Sequence, residues 1–366
     1  MGRELNRISI SGYKSIRELK DLELHSLNVL IGANGSGKTN FISLFTMLRQ
    51  IIEENLQLYV AQSGGANTFL YFGQKTTDEI AIWLVFGANG YRCRLVPASG
   101  DTLIFASETC WYEAPEDTQP YVVHMGAGYQ ETQLHRETRN RPELGILDHV
   151  ISAMQGWRVY HFHDTSSSAG VKLTGDINDN AVLRPDGDNL AAFLYWLREQ
   201  QPDHYRQIVN TIRLAAPFFD DFALRPSRLN PTKIQLEWQE RGSDAYFDAN
   251  YLSDGTLRFM CLVTLLLQPE LPTTILIDEP ELGLHPYAIT LLASLIRSAA
   301  TQTQVIVSTQ SVPLVNQFGP EDIIVVDREA GQSVFKRLAR ADLESWLDDY
   351  GMGDLWEKNL LGGRPR

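Results

Sequence analysis

Gly32-Ala33-Asn34-Gly35-Ser36-Gly37-Lys38-Thr39 matches the pattern G-x-x-x-x-G-K-[ST] at every fixed position, and nothing else in the chain restricts its fold as tightly. Ahead of it, Leu27 to Ile31 reads Leu-Asn-Val-Leu-Ile, an apolar run suited to a buried strand. Behind it, Phe41, Leu44, Phe45, Leu48 and Ile52 recur at helical spacing over Thr39 to Glu53. Strand, glycine loop and helix in that order form a phosphate cradle. The glycines let backbone N–H groups turn inward, and the helix N-terminus adds a favourable dipole. Lys38 would then reach the β- and γ-phosphates and Thr39 would ligate Mg²⁺, with Asn40 the next residue of the nucleotide-binding segment. ATP and Mg²⁺ are therefore the expected ligands.

A second element answers the first. Ile275-Leu276-Ile277-Asp278-Glu279-Pro280 is a buried-strand pattern ending in two adjacent acids. Asp278 is expected to hold Mg²⁺ through water, and Glu279 to accept a hydrogen bond from the attacking water. Capping of the following helix is the plainer use of such acids.

Tyr251-Leu252-Ser253-Asp254-Gly255-Thr256 precedes a helical pattern, and 278 − 252 places Leu252 26 residues before Asp278, room for a helix, a turn and a strand. Leu-Ser-Asp-Gly-Thr resembles the Leu-Ser-Gly-Gly signature of ATP-binding-cassette ATPases, with Asp254 in place of the first glycine. The resemblance implies that Ser253, Asp254 and Gly255 face a γ-phosphate held by a second copy of the chain. A plain N-cap at Ser253 is the alternative. Glu281-Leu282-Gly283-Leu284-His285-Pro286 falls where that family has its D-loop. Ser308-Thr309-Gln310-Ser311 falls where it has a switch histidine, and Gln310 can donate a hydrogen bond there but cannot take a proton.

The distance from Gly32 to Leu252, 252 − 32 = 220 residues, is about twice what transporter cassettes of the family use. Ile8-Ser9-Ile10-Ser11-Gly12-Tyr13-Lys14-Ser15-Ile16 resembles the opening of RecF, SMC and OLD-type ATPases, which implies that Lys14 lies near the nucleotide base; a solvated strand-end charge is the alternative. Leu355-Trp356 and Leu361-Gly362-Gly363 add a likeness to stand-alone RecF-like bacterial AAA ATPases. After Ser311 only 366 − 311 = 55 residues remain, too few for an added nuclease domain.

The expected fold is α/β, a P-loop NTPase of ATP-binding-cassette type with a mostly parallel core sheet, an N-terminal antiparallel β subdomain and a helical insertion. Within one head of 1–366, the lobes expected are 1–140 with the P-loop and β subdomain, 141–250 as the helical insertion, and 251–366 with the signature and second acid strand. Short β-rich pieces at Glu79–Phe86 and Tyr91–Val96, separated by Gly-Ala-Asn-Gly, read as a hairpin. Helices are expected over Leu144–Met154, Asn189–Glu199, Thr256–Leu267 and Pro286–Ala300. Strands are expected over Arg158–Phe162, Thr273–Ile277 and Gln304–Val307, and a surface loop over Thr165–Asp188. His161 and His163 share a strand face and two imidazoles could pinch a zinc, but no third ligand is recognisable nearby; a polar strand end turned toward the nucleotide is the preferred reading.

A chain that is 43% hydrophobic can build such a core, and its formal charge of −13 opposes a surface that simply coats nucleic acid. Three cysteines without a close pair and no apolar run of membrane-spanning length point to the cytoplasm and to no membrane partner. The expected activity is Mg-dependent ATP hydrolysis by an ATP-closed homodimer, acting on DNA in break or gap repair. The alternatives are an ATPase sensor of a phage-defence or toxin–antitoxin system controlling a separate effector, a nuclease or toxin, and a transporter's cytosolic subunit.

Overall fold

The computed structural model describes residues 4–113, 119–343, 346 and 350–363. The chain opens with β1 (Arg7–Tyr13), β2 (Ile16–Glu23) and β3 (Leu27–Ile31), then α1 (Lys38–Ile52) and α2 (Leu56–Gln62). Strands β4 (Ile80–Phe86), β5 (Asn89–Ala98), β6 (Thr102–Tyr112) and β7 (Tyr121–His124) follow. They join the first two in an antiparallel sheet ordered β2-β1-β4-β5-β6-β7. The hairpin expected at Gly87–Gly90 is there, with Phe86 paired to Asn89.

Helices α3 (Leu134–Asn140) and α4 (Gly145–Gln155) lead into β8 (Trp157–Tyr160). The next stretch holds β9 (Gly175–Asp176), α5 (Leu190–Gln200), α6 (Pro202–Ala215), β10 (Phe219–Phe222), β11 (Lys233–Ile234), β12 (Glu237–Glu240) and β13 (Tyr246–Asp248). Residues 141–250 are thus less helical than expected. Phe219, Phe222 and Trp238 fold inward from short strands that pair antiparallel as β10-β12-β13, and β8 joins the core sheet. The expected 165–188 loop is interrupted only by a single 3-10 turn and by β9, which pairs with β11.

The last third contains α7 (Asp254–Leu267), β14 (Thr274–Asp278), α8 (Pro286–Ala299), β15 (Gln304–Thr309), α9 (Val312–Val315), β16 (Ile323–Glu329), β17 (Gln332–Arg337) and α10 (Met352–Glu357). Helix α7 starts two residues earlier than Thr256, because Ser253 caps it. Strands β16, β3, β15, β14 and β8 are parallel neighbours, and β17 closes one edge antiparallel.

Alternation along these strands explains the layering. Val29, Val305, Val307, Ile275 and Ile277 face one apolar cluster with α5 to α8, whereas Leu30, Ile306, Leu276 and Ile324 face a second with α1 and the antiparallel sheet. A sheet covered on both sides needs apolar residues at successive positions, which is why these strands read as continuous hydrophobic runs. Helix α1 is wedged between the sheets, with the Phe45 ring 5.0 Å from Trp157 and Phe41 5.3 Å from Phe335. Its start is thereby fixed at the C-terminal ends of β3, β14 and β15, where ligands of parallel sheets bind. Among the described residues, no helix is long and apolar enough to cross a membrane.

Candidate nucleotide site

The loop between β3 and α1 takes its shape from glycine. Gly35 and Gly37 have φ of +76° and +116°, values that side chains with a Cβ rarely adopt. A Cβ on Gly37 would run into the Ser333 hydroxyl, so β17 lies directly against the loop. Ser333 Oγ donates to Ser36 O at 2.6 Å and to Ser15 Oγ at 2.7 Å, and Asn40 Nδ2 donates to Ser15 Oγ at 2.7 Å. Arg328 adds a bond from Nη1 to Gly35 O at 3.3 Å. Ser15, Arg328 and Ser333 were not singled out from sequence as contacts of this loop; each is an ordinary polar residue far from the loop in the chain.

Lys38 is 5% exposed, and its Nζ donates to Gly32 O at 2.7 Å and Ala33 O at 3.1 Å. Burial pulls its pKa down, opposed by the charges of Glu279, Asp278 and Glu281. Thr39 Oγ1 donates to Asp278 Oδ2 at 3.2 Å, bringing together the two residues expected to share a magnesium ion across 239 positions of sequence. Ser308 donates to the other oxygen of Asp278. A hydroxyl and a carboxylate are hard oxygen donors, the set that suits Mg²⁺, and the buried Ser36 Oγ in the same loop has no partner. The residues present fit a magnesium-bound nucleotide.

Glu279 sits at φ +45°, strained for a residue with a long side chain, and its N–H donates to Ser308 O at 2.9 Å. Gln310 Nε2 donates to Glu279 Oε1, so the residue at the switch position contacts the candidate base itself. Glu281 holds that switch segment by accepting from Thr309 Oγ1 and Gln310 N; burial pushes its carboxyl pKa up, and its Oε2 has no partner.

The expected polar end of β8 reaches this centre. His163 Nε2 is 2.8 Å from Asp278 O, and burial lowers the His161 pKa despite the nearby Asp278 charge. The two imidazole rings lie 6.1 Å apart. No group of three or more His, Cys, Asp or Glu able to hold a metal occurs among the described residues, so the zinc reading gains no third ligand.

Ser253 and Asp254 are exposed at the start of α7, and Ser253 Oγ accepts from Thr256 N at 3.2 Å, so the residue caps its helix and faces outward at once. A Cβ on Gly255 would overlap Gly283 O; the signature and D-loop segments touch backbone to backbone. One turn on, Arg258 donates to Phe162 O at 3.0 Å, His163 O at 2.9 Å and Leu282 O at 3.1 Å. This arginine, missed from sequence because it looks like a surface charge on an apolar helix, ties the exposed helix start to the segment that touches Asp278. Gly255→Ala is expected to cost about 1–3 kcal/mol through overpacking. A calorimetric melting temperature equal to wild type would show that the D-loop simply yields.

Lys14, at φ +46°, is half-buried rather than a solvated strand-end charge. Its Nζ donates to Ser43 Oγ on α1 at 2.9 Å, and it lines a cavity of about 470 Å³ with Asn40, Phe72 and Arg328.

Two solved structures share the fold. An Smc head bound to the C-winged helix domain of ScpA is 15% identical with a TM-score of 0.56, covering 92% of this chain and 99% of that one. A *Pyrococcus furiosus* Smc head with an extended coiled coil, bound to the C-terminal domain of ScpA, is 14% identical with a TM-score of 0.52, covering 94% and 98%. No sequence among the curated proteins matches. Residues 27–90 and 139–316 match the family described as "AAA domain, putative AbiEii toxin, Type IV TA system", and since that is more than half of its length, the chain belongs to this family of AAA proteins and carries it on an SMC-head fold.

Proposed function

We propose that the protein is a Mg²⁺-dependent ATPase whose two copies close head to tail around two ATP molecules. Each site takes Lys38, Thr39, Asp278 and Glu279 from one copy and Ser253 to Gly255 from the other. The observation that carries this reading is the outward-facing Ser253–Asp254 pair at the start of a 14-residue helix, braced on the D-loop while the P-loop and acid strand meet elsewhere on the same chain. A helix N-terminus with a free hydroxyl is an anion site, and this one points away from its own P-loop lysine's surroundings toward a neighbour.

In this site Lys38 neutralises phosphate oxygens, and Thr39 with Asp278 holds Mg²⁺, which supplies further charge neutralisation when bound. Glu279 accepts a hydrogen bond from the attacking water and aims it at the γ-phosphorus. The bond to the bridging oxygen breaks, leaving ADP and phosphate. Gln310, donating to Glu279, keeps that carboxylate oriented and can also register the γ-phosphate. ATP binds the closed dimer preferentially, and hydrolysis releases it.

The family's description favours a duty as the ATP-driven sensor of a toxin–antitoxin or defence system acting through a separate effector. Work on DNA ends or gaps is the second reading, supported by the likeness of fold to Smc heads. ATP-dependent retention on gapped duplex at stated salt would favour the DNA duty; recovery of an effector with the native protein would favour the sensor. Lys38→Ala tests the nucleotide reading itself. Removing a charge-assisted contact of this kind should weaken ATP binding about 10–100-fold by titration, and unchanged affinity would overturn the site.

A further inference from the structure

The P-loop is also held from behind, by residues from the far end of the described chain. Ala33 N–H donates to Gly363 O at 2.7 Å, and Gly363 N–H donates to Asp327 Oδ2 at 3.3 Å, at the end of β16. Asn359, Gly362 and Gly363 have φ of +58°, +82° and +77°, so the segment doubles back to reach the loop. A Cβ at Gly363 would lie 3.0 Å from Val325 Cγ1 and 3.4 Å from both Gly32 Cα and Trp356 Nε1. Leu361 and Trp356 are buried beside it.

The other end of the segment rests on the helix that follows Gln310. Gly353 N–H donates to Asn316 Oδ1 at 2.6 Å, and a Cβ at Gly353 would lie 2.9 Å from Val312 Cγ1. Helix α9 begins at Val312, capped by Ser311, whose N–H donates to Thr309 Oγ1 at 3.0 Å. A single run of chain therefore spans from the switch segment to the back of the phosphate loop.

We propose that residues 351–363 form a strap that sets the P-loop backbone and ties it to the switch segment, with Gly362, Gly363 and Asp327 as positioning residues for nucleotide binding. The strap rests on the nucleotide reading above. Its physical basis is that a cradle built of backbone N–H groups binds phosphate well only when its shape is fixed beforehand. Ala33 N–H, satisfied by Gly363 rather than by ligand, is the peg that fixes it.

The test uses the whole chain with Gly363→Val, and with Asp327→Ala as a milder lesion from the opposite side of the same hydrogen bond. Hydrogen exchange without nucleotide should quicken in peptides over 32–39 while peptides over 80–112 of the antiparallel sheet stay as in wild type. The dissociation constant for a fluorescent ATP analogue, measured well below each melting temperature, should rise about tenfold in Gly363→Val and less in Asp327→Ala. Turnover at saturating ATP should stay within about twofold, a split between affinity and rate that general loosening would not give. Unchanged exchange over 32–39 with unchanged affinity overturns the strap, and so does quickened exchange spread equally over both regions. Because exchange is read without nucleotide, it judges the strap even if wild-type protein failed to bind ATP, a result that would sink the nucleotide reading instead.

Discussion

Glu279→Gln is expected to lower ATP turnover by about 10²–10⁴-fold while leaving ATP binding intact. The change is isosteric and removes one capacity, acceptance of a proton from water in the transition state. The local structure should tolerate it. Glutamine keeps an oxygen that can accept from Gln310 Nε2, and the strained φ of +45° is no worse for glutamine than for glutamate. The backbone bond from residue 279 to Ser308 O does not involve the side chain at all. With hydrolysis blocked, closure should persist, so sedimentation in ATP and Mg²⁺ should give a dimer that ADP does not support. Phosphate release within about threefold of wild type would remove Glu279 from the chemistry. A monomer at saturating ATP, with turnover lost, would leave the chemistry standing and sink the shared site.

The parts of this site that could be read from the sequence are those whose determinants are local. The strand ending at Ile31 and the α1 stripe each follow from a dozen contiguous residues, and the structure places them within a residue of expectation. The same holds for Thr274–Asp278, where continuous burial on a doubly covered sheet leaves a plain apolar run. What escaped was non-local or small. Gly363 meets Ala33, Ser333 meets Ser36 and Arg328 meets Gly35, all through backbone carbonyls or N–H groups that every residue carries, so no side-chain pattern announces them. The 141–250 stretch misled for a related reason. Strong amphipathic helices at 190–200 and 202–215 dominate its pattern, whereas β10, β12 and β13 are three or four residues long and too short to show alternation.

Arg258 shows why the two halves of the proposed site should work as one. Its guanidinium bonds three carbonyls that are otherwise separate, those of Phe162, His163 and Leu282, and the His163 ring in turn lies 2.8 Å from Asp278 O. A push on the exposed end of α7 therefore meets a chain of short polar contacts leading to the acid strand, not a flexible side-chain surface.

Mixing two inactive proteins should restore activity. Lys38→Ala disables a chain's own phosphate loop, and Ser253→Arg places a bulky charge on the exposed face that would meet the neighbour's nucleotide, so each alone should hydrolyse little ATP. In a mixed pair, the intact P-loop of the Ser253→Arg chain meets the intact signature of the Lys38→Ala chain, and one complete site is formed beside one doubly damaged site. If the sites act independently, equal mixing makes half of the pairs mixed with one working site each, and turnover should recover to about a quarter of wild type. The Ser253→Arg chain should also fold normally, since Ser253 is exposed and only its capping bond to Thr256 N is lost, a cost of about 1 kcal/mol. Recovery requires that the groups of one site come from two chains. Full turnover by Ser253→Arg alone would place the whole active site within a single copy, and a mixture no more active than its components, despite formation of mixed dimers, would show that both sites must be complete before either fires.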